Sequence, residues 1–408
     1  MNIWYIHPYS GSPQEGMSFR PYYLAKNLSE QHKCNVTIIS SGFHHLCRFG
    51  ENKPKNEVIE VEGVPYFLVP TKKYESNGLN RVLNMLSFGM NMMNKHFRRF
   101  SRLNKPDTII ASTAHPFYLP IALYYARKYN AKLILEVRDL WPLSLTELTQ
   151  INKFHPLALL IQIFQNFGYR NCDHCVSLLA NSETYIRQRG LKKQGFSYIP
   201  NGIEVENDGE LDQCQAYDRI SKDISNFDYC IGYTGAVGTP NFLDPLIDAA
   251  TDLGRLKVAI VIVGTGVEKE RLLLTCQEQS LKNVFFYEPV PKSSISNILR
   301  LFDLAFINAK PSILYGYGIS PNKIFDYMMA NKVVLSGINA PNNPLQVAES
   351  EIFFDTLKKD DLVNKVLKFI KKPYKVNSKR VVLDRFNYQH LASLYSNIIE
   401  LKERKNEK

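Results

Sequence analysis

Residues 258–271 read VAIVIVGTGVEKER, and this stretch decides the architecture. Val258–Val263 is an unbroken apolar run dominated by β-branched residues. A run of that kind fits a strand buried on both faces, as in a parallel sheet. Gly264-Thr265-Gly266 then turns the chain, and Glu268-Lys269-Glu270-Arg271 opens a helical stretch.

The same succession of apolar run, loop and helix recurs on both sides of it. In the first half Gly11 to Gly16 follow Ile3–Ile6, His115 follows Thr108–Ala111, and Arg138-Asp139 follow Lys132–Val137. In the second half Gly235 to Gly238 follow Tyr229–Tyr233, and Lys310 follows Ala305–Asn308. Ligands of open α/β sheets bind outside the carboxyl ends of strands. Two such sheets facing each other would gather these loops into one cleft, which predicts an enzyme with its ligand between two halves.

At 408 residues and 45% apolar composition, the chain is long enough for two α/β cores. We expect domains at 1–203 and 227–385, an acidic linker at 204–226, and a final helical segment at 386–408. The linker assignment rests on Glu204, Glu206, Asp208, Glu210 and Asp212 in a weakly periodic stretch. The seven cysteines are odd in number and scattered, which suits a reducing compartment better than a disulfide framework. Cys172-Asp173-His174-Cys175 lacks a second pair at zinc-site spacing and runs into a predicted strand. The chain opens on a strand pattern instead of an export signal.

The net charge of +11 lies entirely in the first half, where residues 1–200 hold 24 Lys/Arg against 13 Asp/Glu. Such asymmetry suggests an anionic partner surface, membrane or nucleic acid. Within 81–102, Val82, Met85, Leu86, Met90, Met93, Phe97 and Phe100 recur at helical spacing beside Arg81, Lys95, Arg98, Arg99 and Arg102. That pattern predicts either a helix lying on anionic lipid or an ordinary helix packed on its own domain. The charges accompany Met and Leu more than an aromatic stacking surface, which disfavours nucleic acid. The apolar stretch 155–169 is too short to span a bilayer and reads as a buried helix.

The strongest chemical signal is YGISPNKIFDY at 317–327. Ser320 is a good N-cap and Pro321 a good first helical residue, so a helix N-terminus should open here and favour an anion. Gly318 allows close backbone approach, and Lys323 in the first turn is unfavourable for the helix alone but suits a bound diphosphate. Asp326 lies on the same face, placed to accept from sugar or ribose hydroxyls. In the first half Glu15-Gly16 opens a helix, without the glycine spacing of a dinucleotide site. The N–H groups of Gly16 and Met17 are placed to hold a phosphate or hydroxyl. His115 beside Pro116 suits a ligand contact, and Arg138-Asp139 either a ligand contact or a structural ion pair.

These motifs resemble those of GT-B glycosyltransferases of family 4, particularly bacterial enzymes of O-antigen and capsule assembly. The resemblance rests on EVRDLWP (136–142), PNG (200–202), VGTGVEKER (263–271) and GISPNKIFDY (318–327). It implies two Rossmann-like domains facing across a cleft, with a C-terminal helix crossing back to the first. It further implies retaining transfer from a UDP-sugar, often an N-acetylated or deoxy sugar, with no metal or other cofactor required. The implied acceptor is a polyprenyl-diphosphate-linked saccharide, met by a peripheral protein on the cytoplasmic face of the inner membrane. By position, Gly16, Gly235, Gly264, Gly318, Ile319, Ser320, Asn322 and Asp326 would hold the donor. His115, Lys323 and Asp139 would be catalytic, and Glu15 and Arg138 would face the acceptor. Two departures stand out: Gly318 occupies the first of two usual acidic positions, and the loop 235–248 lacks the usual Arg and Lys. A nucleotide-sugar epimerase of the same architecture and a non-catalytic nucleotide-sugar-binding subunit are the alternatives.

Overall fold

The computed structural model describes residues 1–14, 16, 18–44, 55–74, 78–149, 151–192, 194–205, 215–358 and 360–401. The chain divides into two compact units, residues 1–204 with 387–408 and residues 205–386.

The first unit is built on β1 (Asn2–Ile6), β2 (Asn35–Ser41), β3 (Val58–Val61), β4 (Val64–Val69), β5 (Thr108–Ser112), β6 (Lys132–Val137), β7 (His174–Ser177) and β8 (Gly195–Tyr198). Their order across the sheet is β3-β4-β2-β1-β5-β6-β7-β8, parallel except for the β3–β4 hairpin at one edge. The second unit has β9 (Tyr229–Thr234), β10 (Val258–Val263), β11 (Val284–Tyr287), β12 (Leu304–Ile307), β13 (Val333–Ser336) and β14 (Glu351–Phe353). They form a wholly parallel sheet in the order β11-β10-β9-β12-β13-β14. Val258–Val263 is buried along its full length, which is why its sequence carries no polar alternation.

In each sheet the winding reverses beside the first strand, between β1 and β5 and between β9 and β12. Loops leaving the carboxyl ends on either side of such a reversal diverge and open a crevice. His7 and His115 lie at that point in the first unit, Gly235 and Lys310 in the second.

One polar network ties the first unit together. Glu136, fully buried on β6, pairs with Arg20 Nε at 2.9 Å and accepts from Ser112 Oγ at 2.6 Å, Tyr5 Oη at 3.0 Å and Tyr395 Oη. Arg20 also donates to the carbonyls of Ile199 and Pro200. The pair thus joins the helix Arg20–His32, β1, β5, β6, the turn after β8 and the closing helix Tyr388–Glu400. Arg20 holds the Glu136 carboxyl down to about 2, against the opposite push of burial. Around it the helices Arg20–His32 and Tyr388–Glu400 share one apolar cluster with β1, β2 and β4.

Several elements differ from the sequence expectations. The helical stretch 80–102 is two helices, Leu79–Asn91 and Lys95–Leu103, because Asn94 caps the second by accepting from Phe97 N–H at 2.8 Å. Phe97 and Phe100 turn inward onto Trp4 and Phe67, leaving Lys95, Arg98, Arg99 and Arg102 exposed. The aromatic face of that second helix is therefore core, and its basic residues meet solvent together with Leu103 at its end. Conversely, the helix Pro156–Asn171, expected to be buried, exposes Leu159, Leu160 and Ile163. Residues 215–223 of the expected linker are the helix Gln215–Asp223, and helical turns run from Ser378 to Phe386 ahead of the closing helix.

Candidate active site

Each unit carries its own half-site at the carboxyl end of its sheet. In the second unit, the helix Asn322–Met329 begins one residue later than its sequence suggests. Pro321, in extended conformation, holds the N-cap position, and no side chain caps the helix, so Ser320 is not the cap. Proline brings no side-chain acceptor, and Ile324 N–H instead reaches the Pro321 carbonyl at 3.3 Å. Asn322 is exposed at this end, while Ile319 is buried. Gly318 has φ +114°, a conformation that a side chain would strain, which explains why an acidic residue is absent there.

Lys323 is half-buried and folds across to β9. Its Nζ donates to Tyr233 Oη at 2.7 Å and Asn241 Oδ1 at 3.1 Å, and lies 4.1 Å from the Tyr233 ring centre. Tyr233 O–H donates to the Ala236 carbonyl at 2.6 Å, so its oxygen is oriented to accept from the ammonium. Both partners are neutral. Burial pulls the Lys323 pKa down to about 7, opposed by the Asp326 carboxylate. Asp326 itself pairs with Lys292, and burial raises its pKa despite that cation. A surface pair between Lys323 and Asp326 therefore does not form.

The glycines of this half-site serve close packing. A Cβ on Gly264 would stand 1.9 Å from the Gly235 carbonyl oxygen, and one on Gly266 2.2 Å from that of Val237. The N–H groups of Gly235 and Gly264 donate to the Val263 and Tyr287 carbonyls, so neither offers a donor to a ligand. Gly235 acts by leaving room, since a Cβ there would sit 3.1 Å from Lys323 Nζ. Beside these loops a cavity of about 230 Å³ is lined by Thr239, Phe242, Asp244, Glu268, Arg271 and Lys310, among others. Arg271 is shared between Asp244 at 2.8 Å and Glu268 at 2.7 Å.

The first unit's half-site is built differently. His115 is 2% exposed, its ring lies among Tyr9, Phe88, Phe117 and Tyr118, and neither ring nitrogen has a hydrogen-bond partner. Burial, aided by Arg81, drives its pKa to about 3, so the ring is neutral at pH 7. Arg138 and Asp139 follow β6 but form no ion pair, and Arg138 Nη1 is buried without a partner. Asp139 keeps exposed surface, yet the surrounding protein still raises its pKa against the pull of Arg138. Gly16 N–H donates to the Ser12 carbonyl at 3.1 Å, so it is spent inside its own turn and not free for a phosphate. Glu15 and Met17 lie outside the described residues.

Cys172-Asp173-His174-Cys175 is structural. Both thiols are buried with raised pKa values, Asp173 accepts from Leu133 N–H, and His174 Nε2 meets Ser197 Oγ. Tyr233, Asn241, Lys292 and His7 join the half-sites without a signal in the motifs. Lys292 and His7 each follow a strand, so their loop positions were the one available clue.

Known structures share this two-sheet fold. Sucrose-phosphate synthase from Thermosynechococcus elongatus superposes with a TM-score of 0.72 at 14% identity, covering 97% of this chain and 98% of that one. Anabaena Alr3699/HepE, solved with UDP and glucose, gives 0.65 at 14% identity over 98% and 99%. WaaG, a glycosyltransferase involved in lipopolysaccharide biosynthesis, gives 0.62 at 11% identity over 98% and 100%. The fold is that of the GT-B glycosyltransferases, two Rossmann-like domains in one chain. Residues 15–207 match the model of Glycosyltransferase Family 4. WcaI of Escherichia coli (strain K12), which carries the name of a colanic acid biosynthesis glycosyl transferase, is 23% identical over 239 residues. The match spans 57% of each of these two chains.

Proposed function

We propose that this chain is a retaining glycosyltransferase of bacterial surface polysaccharide synthesis. It moves a sugar, of the HexNAc or deoxy-amino class, from a UDP-sugar to a lipid-linked saccharide. The observation that carries this reading is Lys323, a half-buried ammonium in a helix's first turn, with only neutral hydrogen-bond partners. A half-buried cation that is hydrogen-bonded only to neutral groups, with Asp326 committed to Lys292, is costly, and a diphosphate at that helix end offsets the cost. The reading draws further support from the UDP and glucose bound to HepE and from the names of WcaI and WaaG.

In the proposed reaction the bond from the sugar's anomeric carbon to the leaving phosphate oxygen breaks. The acceptor oxygen bonds the same carbon on the same face, and its proton passes to the departing phosphate. Lys323 stabilises charge on that phosphate, so that no metal is required. His115, neutral and able both to donate and to accept, holds a hydroxyl of the transferred sugar. Asp139 and Arg138 serve the acceptor, and Asp326 with Lys292 serves the nucleoside. The exposed basic face of the helix Lys95–Leu103 suits a peripheral position on anionic lipid at the cytoplasmic face. Among the described residues no helix is long and apolar enough to cross a membrane.

A thermal-shift comparison of UDP, GDP, dTDP and CMP, followed by their sugar conjugates, tests the reading. Stabilisation by UDP and more by one UDP-sugar is expected. No response to any nucleotide would overturn it, and a sugar converted without an acceptor would favour the epimerase.

A further inference from the structure

At the carboxyl end of the first sheet, His7 and Arg138 each carry a buried hydrogen-bond donor without an acceptor. His7 follows β1 and is 2% exposed. Its Nδ1 accepts from Tyr9 N–H at 3.2 Å, so the ring proton of the neutral imidazole sits on Nε2, which has no partner. Arg138 follows β6, and its buried Nη1 has none either. Glu136, the nearest carboxylate in sequence on the same strand, is committed to Arg20. The Arg138 charge reaches His7, since after burial it is the largest cause of that ring's lowered pKa. Buried donors are nearly always paired in folded proteins, so unpaired ones at a strand's carboxyl end, where ligands bind, point to a ligand. Both lone groups are donors and one is cationic, so the complementary group is an anionic oxygen. A neutral hydroxyl would answer the imidazole but leave the guanidinium, which feels Glu136 and Asp139 without pairing with either, short of an ion-pair partner. Arg offers a planar fork suited to carboxylate and phosphate.

We propose that Arg138 and the Nε2–H of His7 form a subsite for an anionic group on the acceptor, a carboxylate or a phosphate. This rests on the reading above that the first unit receives the acceptor. The two sources are a sugar-borne carboxylate, as in a uronic acid, and the phosphoryl group that joins a saccharide to its carrier.

The test uses the full chain with ¹⁵N-labelled histidine, the His7 signals being assigned with His7→Gln. Glucuronate, methyl phosphate and glucose are titrated separately, and UDP stabilisation is read on every variant. One anion should shift the His7 signals while glucose does not, and the effective anion identifies the source. Arg138→Gln should weaken that response about tenfold or more, with Arg138→Lys retaining part of it. UDP should stabilise the wild-type chain and all three variants equally, which also shows that they are folded. Failure of both anions to move His7, or an unchanged response in Arg138→Gln, overturns the subsite. A wild-type chain that ignores UDP instead sinks the transferase reading and leaves the anion result to stand separately.

Discussion

The two units close their sheets in the same way and equip the carboxyl ends oppositely. In the second unit the polar groups are already engaged: Lys323 with Tyr233 and Asn241, Asp326 with Lys292, Arg271 with Asp244 and Glu268. In the first, His7 and His115 are neutral, buried and short of partners, and Arg138 has no ion pair. In the proposed reaction the first half-site meets hydroxyls and one anion, and the second receives dense negative charge. The stability of the two units also rests on different devices. The first depends on the buried Arg20–Glu136 network, the second on loops packed so closely that only glycine fits.

The largest expected effect breaks the first device. Glu136→Ala should cost about 3–5 kcal/mol by leaving Arg20 buried and unpaired, read by denaturant unfolding. Because Glu136 is held down to about 2, its contribution is complete above the usual carboxylate range and is lost as pH falls from there toward 2. A loss below about 1 kcal/mol, the size of an exposed pair, would show that the network does not hold the unit.

Next in size, Lys323→Ala should lower turnover by about 10²-fold or more, as for loss of a transition-state charge stabiliser. Near-normal kinetics would remove Lys323 from the reaction and erase the contrast between the half-sites. Gly264→Ala should cost about 1–3 kcal/mol, since its methyl group meets the Gly235 carbonyl. A neutral result would mean that the two loops are not locked together.

The smallest effect is a pH dependence. Lys323 has a pKa near 7 without ligand, and a bound diphosphate raises it, so binding takes up a proton above pH 7. Affinity for the UDP-sugar that stabilises the chain should be greatest below pH 7 and fall by up to about tenfold per unit above it. Calorimetry in buffers of different ionisation enthalpy checks the proton uptake. Affinity that is flat from pH 6 to 9 would show that Lys323 does not meet the phosphates.

Much of this was legible along the chain because parallel strands, buried on both faces, leave continuous apolar runs. Val258–Val263 and Lys132–Val137 show them plainly, and the loops that follow announce themselves by position. What misled were stretches whose pattern fits two environments. The stripe at 81–102 has helical spacing whether it meets lipid or Trp4, and only packing chose Trp4 for Phe97 and Phe100. The charge-free run at 155–169 has no charged face to mark which side stays outside, and one of its polar residues, Gln165, is buried. Gly16 and Gly264 look alike as loop glycines, yet both spend their N–H groups within the protein.

The sequence by itself determined two doubly wound sheets, the order of their loops, and a lysine in the first turn of a helix, since each depends on local pattern. Tertiary structure decided which of those groups are already satisfied. Lys323 finds Tyr233, 90 residues away in sequence, while Arg138 finds no partner beside its own neighbour Asp139. Hydrogen-bond satisfaction and desolvation depend on what folds against a side chain from elsewhere, and no local pattern records that.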